Sequence, residues 1–155
     1  MSQDRFARLL GNIARDIVDK PLDASLVEHL NAKWGRGSAA FTELGELCAQ
    51  GESQGWLMAR EAGGIRFGRA IKPGGATGEF SVDVVRMKEV RGPHHIHPNG
   101  EIGAMLSIAG QPRFDGQDEG WYVYEAGSDH HPTVSGGEAY VLYLLPQGAI
   151  EFTGK

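Results

Sequence analysis

The sequence contains a single cysteine, Cys48, so no internal disulfide can form. Its spacing with Leu44 and Leu47 puts it on the apolar face of a helix, which marks a core thiol and not a nucleophile. No run of Lys or Arg is present that would track a phosphate backbone: 15 Lys and Arg against 20 Asp and Glu give a net charge of −5 with both signs interspersed. Nucleic acid is therefore not an expected partner. Nothing approaches the roughly 20 apolar residues that a membrane-spanning helix needs, and the first eight residues carry Asp4, Arg5 and Arg8 in place of a secretion signal's apolar stretch. The expectation is a soluble, cytoplasmic protein with no membrane partner. Internal repeats, low-complexity tracts and long linkers are also missing. A chain of 155 residues suits one domain able to bury a core unaided.

What is there divides in two. Phe6, Leu9, Leu10, Ile13 and Ile17 recur at helical spacing after Ser2 and Asp4, with Pro21 as a stop beyond Lys20. Asp23 suits the cap of a second helix bearing Leu26, Val27 and Leu30, and Ser38 that of a third bearing Phe41, Leu44 and Leu47, closed by Gly51. Residues 1–52 thus read as a helical lead. From residue 53 to 155 glycines punctuate short runs rich in Val, Ile, Phe and Tyr. The expected strands are Trp56 to Arg60, Ile65 to Ile71, Glu79 to Glu89, His94 to His97, Ile102 to Ile108, Trp121 to Tyr124, Tyr140 to Leu145 and Ile150 to Phe152. Such a series with no helices between its members indicates a mainly β antiparallel sandwich or barrel, jelly rolls among them.

Five of the six histidines fall in two short segments. In the first, His95 and His97 stand two apart, which on an extended strand points both imidazoles to one face. Pro98, Asn99 and Gly100 then form a turn that can return the Glu101 carboxylate toward the same point. The second segment, Gly127-Ser-Asp-His130-His131-Pro132, offers another imidazole from a neighbouring strand. Three imidazoles and a carboxylate suit one divalent ion such as Fe, Mn or Zn, with positions left for water or substrate. Strand alternation turns His94 away from that ion, and His131 too where its neighbour binds, so both read as outer residues; whether Asp129 or His131 bonds to His130 from outside is left open.

His95-Ile-His97-Pro-Asn-Gly-Glu101 resembles the ligand part of the first motif of the cupin superfamily, with Gly92 and Gly110 near the flanking glycine positions. Gly127 and His130 match the second motif, where Glu125 and Val134 replace its proline and asparagine. That match makes His130, not His131, the fourth ligand beside His95, His97 and Glu101. The segments Gly127 to Gly137 and Tyr140 to Phe152, together with the helical lead, are similar nearly end to end to the small cupin family that contains 4-hydroxylaminobenzoate lyase.

The resemblance implies a jelly-roll barrel and a metal-dependent lyase. The reaction would turn 4-hydroxylaminobenzoate and water into 3,4-dihydroxybenzoate and ammonia, balanced with no external oxidant. It also implies a homo-oligomer acting on a small aromatic carboxylate. Glu101 and Tyr124 are then the expected acid/base groups, and Arg69 and Arg86 the cations for the substrate carboxylate. Phe114, Trp121 and Tyr122 read as core aromatics. The rival readings are an oxygen-dependent dioxygenase acting on an aromatic substrate and a non-enzymatic small-molecule-binding cupin.

Overall fold

The computed structural model describes residues 1–155. Three helices lead: α1 (Ser2–Ile17), α2 (Ala24–Trp34) and α3 (Ala39–Gln54). Asp23 caps α2 by accepting from the backbone N–H groups of Ser25 and Leu26, at 2.9 and 3.4 Å, and Ser38 Oγ caps α3 by accepting from Phe41 N–H at 3.1 Å. These bonds satisfy donors that have no partner within the first helical turn. Phe6, Leu10, Ile13 and Ile17 form the buried stripe of α1, while Leu9 is only partly covered.

The third helix does not stop at Gly51. It runs to Gln54, and Gly55 ends it in the left-handed region at φ 83°, donating its N–H to Gly51 and Glu52 carbonyls. Gly51 serves packing: a Cβ there would lie 2.8 Å from Leu57 Cβ. The chain doubles back beneath the helix at that point, with Trp56 and Leu57 N–H groups bonded to the Gly51 carbonyl. Leu57 and Met58 are consequently buried with the helices, and the strand expected over Trp56 to Arg60 is replaced by the short β1 (Arg60–Ala62).

The remaining strands are β2 (Ile65–Ile71), β3 (Phe80–Arg91), β4 (His95–His97), β5 (Glu101–Phe114), β6 (Gly120–Tyr124), β7 (Ser128–His130), β8 (Thr133–Pro146) and β9 (Glu151–Phe152). They make a six-stranded sheet, β1-β2-β3-β8-β5-β6, facing a three-stranded sheet, β7-β4-β9, all antiparallel. This is a mainly β fold of the jelly-roll type with its helices at the N-terminus. The two sheets do not close into one hydrogen-bonded barrel. Pro93, Pro98 and Pro132, which carry no N–H, stand at the joins around β4 and β7, where a continuous ladder would have to pass.

Alternation along the large sheet separates two environments. Val82 and Val84 of β3, Ile102, Ala104 and Leu106 of β5, and Leu142 and Leu144 of β8 meet the three helices in one core of 23 buried residues. Side chains of opposite parity, such as Met87, Met105 and Val141, point between the sheets into a smaller apolar cluster. The outer face of the sheet thus covers the helical stripes, and the inner face is left to build a cavity. No helix is long and apolar enough to cross a membrane.

Candidate metal centre

His95 and His97 flank Ile96 on β4, and alternation sends both rings between the sheets. Gly100 brings the carboxylate into place. It donates its N–H to the His97 carbonyl at 3.1 Å and sits at φ 89°, where a Cβ would also strike Leu22 at 2.3 Å and the Tyr124 carbonyl at 2.8 Å. Only glycine meets both demands, and the next residue, Glu101, opens β5 facing inward. His130 arrives on β7, paired directly opposite His95.

The ligand atoms of His95, His97, Glu101 and His130 all lie within 4.8 Å of one another. His130 Nε2 is 2.9 Å from His95 Nε2 and 3.1 Å from His97 Nε2, and His97 Nε2 is 2.6 Å from Glu101 Oε1. His95, His97 and Glu101 are buried. Burial, reinforced by the His97 and His130 rings beside it, pulls His95 down to about 3, so its imidazole is neutral near pH 7. Imidazole nitrogens and carboxylate oxygens turned on one point are ligand atoms facing each other, which is the arrangement a cation satisfies. The donor set fits a divalent metal.

Asp115, on the turn after β5, grips this site from outside. Its Oδ2 accepts from His130 Nδ1 at 2.7 Å and from Tyr124 Oη at 2.6 Å, and its Oδ1 accepts from Thr133 N–H at 2.9 Å. Burial works to raise its carboxyl, but the hydrogen bonds from His130 and Tyr124 outweigh it and hold the group below the usual carboxylate range. Asp115 and Gly116 form the turn itself, both with positive φ, and nothing local in the sequence shows that a turn aspartate reaches a histidine on another strand. Asp129, one of the two neighbours left open for that role, accepts from His94 Nε2 at 2.6 Å. Adjacent strand residues face opposite ways, so Asp129 and His130 cannot share a partner. His131 lies at 3.3 Å from the Gly92 carbonyl.

A cavity of about 220 Å³ opens on the cluster, with His95, Glu101 and His130 on its wall and Phe67, Phe114 and Tyr143 among its apolar surfaces.

A family model described as 4-hydroxylaminobenzoate lyase matches residues 8–152. The chain belongs to this family. Its curated relatives include the 4-hydroxylaminobenzoate lyase of Pseudomonas putida, 26% identical, with 97% of this chain and 95% of that protein aligned. Among solved structures, the salicylate 1,2-dioxygenase of Pseudaminobacter salicylatoxidans aligns at a TM-score of 0.46 and 10% identity, over 74% of this chain and 38% of that one. An RmlC-like cupin protein from Ralstonia eutropha aligns at 0.43 and 12%, over 58% and 60%.

As a member of the 4-hydroxylaminobenzoate lyase family, the protein is an enzyme of the lyase class. The other residues singled out in its sequence are placed unevenly. Arg86 shares the parity of Val82 and Val84 and faces the helices, where its guanidinium pairs with Glu52 at 2.5 Å and Glu138 at 2.8 Å. It lies on the opposite side of the sheet from the metal ligands, which corrects its expected contact with substrate. Arg69 faces inward but is held by Asp83, at 3.0 and 3.1 Å, and by the Gly148 carbonyl at 3.2 Å. It lines a neighbouring cavity that shares Phe67, Tyr143 and Phe152 with the first.

Tyr124 is committed to Asp115 and accepts from Gln117 Nε2 at 3.1 Å, so its proton is not free for a substrate. Tyr122, two residues earlier on the same face, lines the cavity with a buried and unpaired hydroxyl. Burial first, and the Glu101 carboxylate second, push that phenol well above its ordinary value, so it carries its proton. Reading Tyr122 only as a core aromatic missed this, because alternation cannot tell a paired inward hydroxyl from an unpaired one. Trp121 belongs to the helix-side core, donating from Nε1 to the Trp34 carbonyl at 3.0 Å, and Cys48 is a buried thiol raised to about 12 by burial and by Glu52.

Proposed function

We propose that the protein converts 4-hydroxylaminobenzoate and water into 3,4-dihydroxybenzoate and ammonia at a metal held by His95, His97, Glu101 and His130. The observation that carries this is the convergence of three imidazole nitrogens and a carboxylate beside a ring-lined cavity, with His95, Glu101 and His130 on its wall. A divalent ion there, iron, manganese or zinc, supplies Lewis-acid polarisation of the nitrogen–oxygen bond.

The chain's own residues do the remaining work. The aromatic walls seat the ring and exclude bulk water. Tyr122 donates its hydroxyl proton to the departing group, and Glu101, besides serving as ligand, stands close enough to accept one from the incoming water. The substrate carboxylate reaches toward Arg69, whose Nη1 has no protein partner, along the wall shared by the two cavities. We place the enzyme in the cytoplasm, where a lone buried thiol is at home, and as a homo-oligomer in which a second copy covers Phe152, 61% exposed beside the cavity.

The test is ammonia release from 4-hydroxylaminobenzoate by purified protein, with and without oxygen, with bound metal quantified on the same sample. Stoichiometric release without oxygen supports the lyase. Release that requires oxygen, or none at all, overturns it.

A further inference from the structure

Three hydrogen bonds converge on Asp115 from three strands: Tyr124 on β6, His130 on β7 and the Thr133 N–H on β8. Turn chemistry alone accounts for an Asp-Gly pair here. Asp115 and Gly116 both have positive φ, 50° and 80°, and Phe114 and Gln117 close the turn with reciprocal backbone hydrogen bonds, the pattern of a two-residue hairpin turn. Asparagine or glycine satisfies such a turn equally well. What the turn does not require is a side chain whose two oxygens both accept, from donors as far as 18 residues away in sequence.

We propose that Asp115 is the positioning residue that makes His130 a metal ligand. An ionised carboxylate only accepts hydrogen bonds. The His130 Nδ1 that faces it must therefore carry the proton, and the lone pair is left on Nε2, the atom 2.9 and 3.1 Å from the other two imidazoles. The same contact fixes the ring's rotation and gives it electron density. The other two rings lack such a partner: Nδ1 of His97 is buried with none. Among the imidazoles, His130 is also the least enclosed, being only partly buried and on the edge strand of the three-stranded sheet, whereas β4 lies at its centre. It is thus the ligand that most needs an external clamp.

An amide cannot replace the carboxylate. One end of Asn must donate, and Thr133 N–H, Tyr124 Oη–H and His130 Nδ1–H all require acceptors. If the amide nitrogen turns to His130, it favours the opposite tautomer, which places the proton on Nε2 and removes the ligand.

This inference rests on the metal reading above, and the test separates the two. Zinc and cobalt(II) affinities are measured by chelator competition on wild type, Asp115→Asn and Tyr124→Phe, with cobalt absorption reporting the coordination and thermal unfolding reporting the fold. We expect wild type to bind one ion, Asp115→Asn to bind about 10–100-fold more weakly with altered cobalt absorption, and Tyr124→Phe to bind nearly as wild type. A second measurement needs no variant: ¹⁵N correlation spectra of metal-free wild type at pH 8 should show His130 protonated on Nδ1. An Nε2–H tautomer, or unchanged affinity in Asp115→Asn, overturns the positioning role alone. Absence of metal binding by wild type overturns both readings.

Discussion

The ring of Tyr122 occupies the space that a side chain at position 103 would need: a Cβ on Gly103 would lie 2.2 Å from Tyr122 Oη. The two residues are directly paired across β5 and β6, so the glycine is what lets the phenol lean over the sheet toward Glu101. Tyr122→Phe should keep its metal and its fold and lose about 10²-fold in turnover, the low end for a lost proton donor. Gly103→Ala should lose activity through the same group and also destabilise by about 1–3 kcal/mol, the usual cost of overpacking. Steady-state kinetics and thermal denaturation on metal-quantified samples check both. A fully active Tyr122→Phe would remove the phenol from the chemistry.

Metal removal should abolish ammonia release and leave a folded but less stable protein. A ligand that binds only the native state stabilises it, by about 2.7 kcal/mol at a hundred times its dissociation constant. His97 is wholly buried, so His97→Ala should neither retain the ion nor gain thermal stability when zinc is added back. A wild-type melting temperature indifferent to chelator and to added ion would contradict the site.

The two arginines should separate cleanly. Arg69→Gln is expected to raise KM for the carboxylate substrate and leave kcat within a small factor, because it removes binding common to ground and transition states. Arg86→Gln should leave KM alone and cost about 1–2 kcal/mol, in the range of hydrogen bonds to charged groups, because the pair is only partly buried and Arg66 remains 3.7 Å from Glu52. Kinetics and urea unfolding on the pair decide it. If Arg86→Gln shifted KM instead, the face assigned to that strand position would be in error.

These contrasts show which features were legible in the sequence. Period-two spacing was enough to put His95 and His97 on one face, and a Pro-Asn-Gly turn was enough to bring Glu101 beside them, because both are local rules. Arg86 and Tyr124 mark the limit of the same rule: strand periodicity says which residues share a face but not which face is the inner one or which partner a side chain has already found. Asp115 was invisible because its contacts run from a turn to β6, β7 and β8. The β7 strand itself, Ser128–His130 with no fully buried residue, is too short and polar to show alternation. Cross-strand register supplied all of this, and register is set by the whole sheet.

Asp16 gives a stability prediction independent of the active site. It ties α1 to α2 by accepting from Trp34 Nε1 at 2.9 Å and Lys33 Nζ at 3.1 Å, with His29 Nε2 at 2.6 Å. Burial works to raise its carboxyl, but the hydrogen bonds from Trp34, His29 and Lys33 prevail and hold it well below the ordinary range. A carboxyl depressed in the folded state contributes stability above its unfolded value, near 3.9, and loses that contribution as the pH falls below it toward the folded value. Asp16→Asn should therefore destabilise by about 1–3 kcal/mol at pH 7, in line with hydrogen bonds to a charged group. The gap from wild type should narrow as the pH is lowered below 4, where the wild-type protein begins to lose the same interaction. Urea unfolding of both proteins between pH 7 and pH 3 measures the gap directly, and a constant difference across that range would show that the contact depends on shape and not on charge.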